Sequence, residues 1–214
     1  LAGTVICTTN TYLIYKRYLN ERKLIIDTNR QFENHEAVTL TDAYIDISHS
    51  GGIIEAEAAM CFINENKTGI KECFFSLNPG LEVKGVNHKG QKIDFKTVNH
   101  IIIVELPVML QPGQKDSLTI TYSGNINEAF CYPNYTGNIK DNPYMIEMLR
   151  VNKRQAFLTN DFVLLTPETH WYPVPGLNYY PENPARMKID FTNFDLRVKT
   201  TPGLVPISQG IMKK

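Results

Sequence analysis

The sequence predicts an all-β fold, a β-sandwich or stacked antiparallel sheets, with one N-terminal helix. Short segments in which apolar and polar residues alternate recur roughly every 8–12 residues, a spacing typical of such sheets. The 12 prolines and 13 glycines supply turns between them. Before residue 35 the apolar residues recur instead at steps of three and four, which indicates a helix. We therefore divide the chain into an N-terminal arm and helix, residues 1–34, and a β-domain, residues 35–214.

The helical pattern covers residues 12–34, where Tyr15, Tyr18 and Ile25 share one face and basic residues lie mostly on the other. Residues 1–15 are mildly apolar, but they are too few and too polar to span a bilayer. They are either the outer end of a membrane segment or a loose terminal arm.

After the helix the apolar period changes to two. The turn signals Asn78-Pro79-Gly80 and Gln111-Pro112-Gly113 separate strands, and Asn142-Pro143 favours a short helix at 144–150. The predicted strands are residues 38–47, 53–63, 70–77, 81–86, 92–96, 100–106, 118–122, 162–165, 186–192 and 195–200.

The composition excludes several classes of function. Lys plus Arg and Asp plus Glu are both 22, so the net charge of zero gives no electrostatic reason to bind nucleic acid or an anionic membrane. The four cysteines show no Cys-x-x-Cys spacing, so a structural zinc site is not supported. Cys61 and Cys73 would face each other if their segments form a hairpin, and two free thiols are favoured over a disulfide there.

No catalytic set is assembled by the motifs. His35-Glu36 begins like the zincin sequence His-Glu-x-x-His, but Thr39 stands where the second histidine is needed. A serine-hydrolase elbow, a phosphate loop and a dinucleotide glycine pattern are all absent from the sequence. Asp161 and Glu168 could be nominated as glycosidase carboxylates, but such pairs arise by chance in a β-rich chain. We assign no residue a catalytic or metal-binding role.

Residues 158–176, called here the aromatic segment, stand out. They contain the only tryptophan, Trp171, in a stretch stiffened by Pro167, Pro173 and Pro175. Such a segment either plugs the end of the β-domain or presents a rigid surface, and the usual burial of tryptophan favours plugging. The candidates for an interface or a ligand site are Glu168, His170, Trp171, Tyr172, Tyr179 and Tyr180.

The order of several motifs resembles the N-terminal β-domain of zinc aminopeptidases of the aminopeptidase N type, over roughly residues 38–210. The motifs are Leu77-Asn78-Pro79-Gly80-Leu81, Leu110-Gln111-Pro112-Gly113, Leu118-Thr-Ile-Thr-Tyr122-Ser-Gly124, Leu165-Thr-Pro-Glu-Thr-His-Trp-Tyr-Pro173 and Pro202-Gly203-Leu204 with Ser208-Gln209-Gly210. In that family the last motif is a strand pair that precedes the catalytic domain. The Trp-Tyr-Pro form is most similar to divergent bacterial members in which an ABC transporter permease is fused ahead of an aminopeptidase-like portion.

The resemblance implies a domain without activity of its own. The zinc helix and the Gly-x-Met-x-Asn motif of the family do not occur here, so zinc and peptide cleavage would belong to a downstream domain of the same polypeptide. A permease fusion implies a membrane tether before residue 1 and a periplasmic or extracytoplasmic domain. The basic residues after Tyr15 favour the opposite orientation.

We therefore expect a non-catalytic β-domain that supports or docks a downstream domain through the aromatic segment and the closing strands. The alternative is a free-standing extracytoplasmic module whose exposed aromatic side chains stack on a glycan or a peptide.

Overall fold

The computed structural model describes residues 2–131, 133, 155–187 and 191–212, with side chains from residue 9 onward. The predicted helix at 144–150 and residues 188–190 of the predicted strand at 186–192 lie outside these residues. The rest of that strand prediction is wrong, because Arg186 ends a 3₁₀ turn that starts at Pro184 and residues 187, 191 and 192 are in no strand. The described elements are α1 (Ala2–Phe32), β1 (Thr39–Ser50), β2 (Ile53–Ile63), β3 (Ile70–Ser76), β4 (Leu81–His88), β5 (Gln91–Ile93), β6 (Phe95–Val98), β7 (Ile101–Leu110), β8 (Lys115–Gly124), β9 (Ala156–Leu158), β10 (Val163–Leu165), β11 (Val174–Pro175) and β12 (Asn193–Lys199).

The strands form three sheets, so the chain is mostly β as predicted. The six-stranded sheet has the order β12-β1-β2-β8-β4-β5, the four-stranded sheet β11-β3-β7-β6, and β9 pairs with β10. All pairs are antiparallel except β1 with β12, which run parallel. That pair departs from the purely antiparallel sheets that we predicted. The packing of these sheets as a sandwich stays a prediction.

The four-stranded sheet is buried on both faces in its central strands. Phe75 and Ile102 belong to the main core, which also contains the inward residues of β1, β2 and β8. Phe74 and Ile101, one position away on each strand, belong instead to a second cluster with Phe32 of helix α1. Neighbouring residues of a strand point to opposite faces. The sheet is therefore covered by the main core on one face and by the end of α1 on the other.

Helix α1 begins ten residues before the predicted start. An apolar stripe of this kind usually reflects packing against a core. Here Tyr15 and Tyr18 are exposed, and only later members of the stripe, such as Ile25, are buried. The residues before Tyr12 carry no such stripe, so the prediction began too late. Within the described part of the chain, no helix is sufficiently long and apolar to cross a membrane.

Two further expectations are corrected. Cys61 in β2 and Cys73 in β3 are free thiols, as favoured, but the hairpin that would have placed them face to face does not form. β2 pairs with β1 and β8, whereas β3 pairs with β7 and β11 in the other sheet. Residues 204–210, which the resemblance implied to be in a strand pair, form no strand, because no described strand lies beside them to accept their hydrogen bonds.

The main core predicts the cost of removing its aromatic centre. Phe75 is fully buried, and its ring meets that of Phe62 edge-on at 5.9 Å. Phe75→Ala should lower the free energy of unfolding by about 3–5 kcal/mol because it leaves a cavity between the sheets. Chemical denaturation measures this. Val108→Ala, at a side chain that is 76% exposed, is the control and should change stability by less than about 0.5 kcal/mol.

Candidate functional site

The aromatic segment folds as a hairpin followed by a tight turn. β9 and β10 pair with Val163 opposite Leu158, and a 3₁₀ turn covers Pro167–Thr169. His170 ends the turn in the left-handed region, with φ of 44°. Few non-glycine residues adopt this conformation. It redirects the chain, so that Val174 and Pro175 pair with β3 as strand β11.

The turn is held in place by Asn78, which is fully buried. Its Nδ2 donates to the carbonyl oxygens of Thr169 (2.8 Å) and Asn127 (3.1 Å). Its Oδ1 accepts from the backbone N–H groups of Gly80 (3.0 Å) and Asn127 (2.8 Å). The Asn78 N–H donates to the His170 carbonyl at 3.0 Å. One amide thus joins three segments that are distant in sequence, a role that the predicted turn at 78–80 did not indicate.

Two histidines lie on either side of Phe130. The Phe130 ring meets the His170 ring at 5.2 Å and the His100 ring at 5.1 Å, both edge-on. His100 Nε2 lies 2.7 Å from Asn29 Oδ1, while Asn29 Nδ2 donates to Asn178 and Tyr179. This network assigns the Nε2–H tautomer to a neutral His100.

Burial keeps both imidazoles neutral. It lowers the pKa of His100 to about 3, with a further contribution from His170. Burial also lowers the pKa of His170 to about 4, although the Ser76 backbone and the Glu168 carboxylate act in the opposite direction. His170 Nδ1 is enclosed and has no hydrogen-bond partner among the residues that the structure describes. The two rings therefore resist protonation without forming a proton-transfer pair.

Trp171 and Tyr172 pack inward on the main core. Their rings meet edge-on at 4.9 Å, and Tyr172 meets Phe194 of β12 at 5.2 Å. Burial raises the pKa of Tyr172. Both residues are half-buried, so part of each ring remains accessible. The segment closes one border of the core, while a role of the two residues in binding stays a prediction.

Tyr179 and Tyr180 belong to a different part of the molecule, residues 177–186, called here the strap. Tyr180 is buried in the second cluster, and the guanidinium of Arg186 lies 5.5 Å above its ring. The Tyr179 carbonyl accepts from Asn29 of α1 at 2.7 Å. The structure thus separates these two tyrosines from Trp171 and Tyr172, and the four do not form one exposed platform.

The strap is fastened to the end of α1 by Glu33. This carboxylate is buried and accepts from the backbone N–H groups of Glu182 (2.9 Å) and Asn183 (2.8 Å). Arg186 Nη1 donates to the Glu33 carbonyl. We did not predict this role, and a lone Glu at a helix end gives no sequence signal for a partner about 150 residues away.

The remaining candidate, Glu168, lies exposed on the 3₁₀ turn. Among the residues that the structure describes, no three His, Cys, Asp or Glu side chains come together to hold a metal ion. A shallow groove of about 480 Å³ crosses the outer face of the six-stranded sheet. Its charges are mixed, with Asp46 and Arg197 paired at 3.3 Å.

No protein-family model and no curated protein matches the sequence. The fold is similar to that of an M1 zinc metallopeptidase from Deinococcus radiodurans. A mutant of that enzyme bound to a Tyr-Ser-Ala substrate gives a TM-score of 0.52 at 15% identity, covering 77% of this chain and 33% of that one. Another structure of the mutant gives 0.51 at 14% identity, with the same two coverages.

The structural neighbours are therefore zinc metallopeptidases of the aminopeptidase N type, at low identity and partial coverage. The chain spans about a third of the length of these neighbours. At such identities the similarity is one of fold. It confirms the fold resemblance to zinc metallopeptidases that the motif order indicated, but not the fusion to a permease.

Removal of the Asn78 amide should loosen the aromatic segment. Asn78→Ala leaves two backbone donors and two backbone acceptors without this partner, and we expect it to cost at least about 2 kcal/mol of unfolding free energy. Chemical denaturation measures the loss. The matched control is Asn193→Ala, at an exposed asparagine with one surface hydrogen bond to Asp42. Equal stability of the two variants would contradict the role assigned to Asn78.

The two buried histidines predict a loss of stability in acid. Between about pH 6.5 and the folded-state pKa values near 3 and 4, the unfolded chain binds protons that the folded chain does not. The stability due to the neutral rings is complete above about pH 6.5 and decreases as the pH falls. Each ring should contribute a slope of about 1.4 kcal/mol per pH unit.

His170→Asn tests this contribution, since asparagine tolerates the left-handed backbone. Denaturation curves at several pH values should show a slope lower by up to about 1.4 kcal/mol per pH unit between about pH 6 and 5. Curves above about pH 7, where both rings are neutral in either state, supply the baseline. An unchanged slope would show that His170 titrates alike in the folded and unfolded chain.

Proposed function

We propose that this chain is the non-catalytic β-domain of a larger, membrane-tethered bacterial protein, in which it docks and supports a downstream aminopeptidase-like domain. The observation that carries the proposal is the fold similarity to M1 zinc metallopeptidases over 77% of the chain. The chain matches only a third of those enzymes, so the remaining length would hold the catalytic part.

Zinc belongs to the downstream domain in this proposal. The side chains of the described residues offer no group of ligands for it, and zinc prefers closely spaced His, Cys and carboxylate donors. The domain would lie on the extracytoplasmic side of the membrane, behind a permease-like portion of the ABC transporter type that precedes residue 1. The order of the sequence motifs supports this placement beside a permease-like portion.

Exposed apolar side chains after β12 are the proposed docking surface. Val205, Ile207 and Ile211 are 75%, 89% and 93% exposed. Trp171, by contrast, already packs on the core of this chain. Contiguous exposed apolar residues are characteristic of protein interfaces. The contact with the downstream domain is therefore assigned to residues 204–212.

The natural polypeptide tests the proposal directly. We would capture it with an antibody raised against this chain, then determine its mass and its metal content. A product several times larger than 24.4 kDa with about one zinc per chain is expected. A large product without zinc would replace the proposal with an inactive, peptidase-derived scaffold. A product of about the mass of this chain would overturn it in favour of a free-standing binding module.

If residues 204–212 form the docking surface, a substitution there should affect the full-length protein more than the isolated chain. In the isolated chain, Ile207→Ser should change unfolding free energy by less than about 0.5 kcal/mol, because the side chain is already in water. In the full-length protein the same change should cost about 1.5–3 kcal/mol through lost burial. Thermal or chemical denaturation of both proteins measures the difference. The control is Val108→Ser, at an exposed residue of β7, which should have little effect on the stability of either protein. If Ile207→Ser has an equally small effect in both proteins, residue 207 does not belong to the interface.

A further inference from the structure

The first part of helix α1 extends beyond the β-domain. Every residue from Thr9 to Asn20 is exposed, whereas Arg22 and Ile25 are buried. Twelve residues of α-helix measure about 18 Å. Since the helix continues without interruption to Phe32, this exposed part is a direct extension of the portion that packs on the four-stranded sheet.

One turn of this extension is apolar on all sides. Tyr12, Leu13, Ile14 and Tyr15 are consecutive, and each is between 56% and 62% exposed. Four successive helical residues point in four directions around the axis. A helix that pairs with a second copy needs a single stripe with a repeat of 3.5 residues. A helix that is apolar all round is instead typical of burial in a core or in a membrane.

The residues that follow this turn carry the chemistry of a lipid–water interface. Lys16 and Arg17 come directly after Tyr15, and Tyr18 and Leu19 follow them. Tyrosine rings favour the headgroup level of a bilayer. Long basic side chains lie along apolar surface and bring their charges to anionic headgroups. Arg17 is 83% exposed and pairs with Glu21 of its own helix at 3.7 Å. The zero net charge of the whole chain thus conceals a local basic site beside an apolar turn.

We propose that the apolar turn, residues 12–15, lies at the inner border of the headgroup region of an anionic membrane, that residues 16–19 lie in that region, and that they hold the β-domain directly against the membrane surface. Arg22, where contact with the domain begins, is seven residues or about 10 Å along the axis from Tyr15. The headgroup region of one leaflet is about 5–8 Å thick. This inference extends the membrane tether of the proposed function to the affinity of this chain itself for lipid. It rests on the proposed function only for the side of the membrane on which the domain lies.

Flotation of the full 214-residue chain with lipid vesicles tests the inference. We expect binding to vesicles of phosphatidylcholine with phosphatidylglycerol, and weaker binding to phosphatidylcholine alone. Leu13→Ser combined with Ile14→Ser should lower the partition coefficient at least about tenfold on both, because apolar burial is lost. Lys16→Glu combined with Arg17→Glu should lower it at least about tenfold on the anionic vesicles only.

The control is Val108→Ser combined with Met109→Ser, two exposed apolar residues on β7 that should leave vesicle binding unchanged. Trp171 fluorescence would show that all variants fold alike. Absence of binding by the unmodified chain, or equal binding by the Leu13 and Ile14 variant, overturns the inference. Dimers that dissociate on the same substitutions, without lipid binding, would assign the apolar turn to a second copy. None of these outcomes depends on the zinc content of the natural polypeptide, so the two proposals fail separately.

Discussion

The four-stranded sheet needs a cover on each face, and most of the chain is arranged to provide the two covers. β3 places Phe74 on one face and Phe75 on the other, and β7 does the same with Ile101 and Ile102. Leaving either face in water would expose several fully buried aromatic and aliphatic side chains, each worth about 1.5–3 kcal/mol. The main core, to which β1, β2 and β8 contribute, lies against the first face. The second depends on α1 and the strap, so the C-terminal part of the helix is an integral part of the domain.

Polar contacts determine where the second cover sits. Glu33 satisfies two backbone donors of the strap, and Asn29 connects His100, in the turn before β7, to the strap carbonyl at Tyr179. Buried hydrogen bonds add little net stability, but each becomes costly when one partner is removed. They therefore select one position of the strap on the helix, while Phe32 and Tyr180 supply the apolar contact. Apolar burial drives the association and the hydrogen bonds fix its register.

Local patterns predicted most of the long strands but not their partners. The alternation at 53–63 predicted β2 with its observed bounds, because burial of one face leaves a direct mark on the sequence. The parallel pairing of β1 with β12 joins residues about 150 positions apart, and neither strand encodes it. The same holds in the aromatic segment. Its stiffness and its place against the core followed from the prolines and Trp171, whereas the anchoring by Asn78 depends on segments that meet only in the folded chain.

Partners are expected to bind where apolar side chains are exposed, and not where polar groups already have hydrogen-bond partners within the chain. In the aromatic segment, the backbone of Thr169 and His170 is already bonded to Asn78, and Trp171 and Tyr172 face the core. A partner gains little from groups whose interactions are already made within the chain. The large apolar side chains that remain in water are concentrated before residue 20 and after residue 190. The membrane contact and the docking surface that we propose both use these terminal regions, so neither contact would disturb the core of the domain.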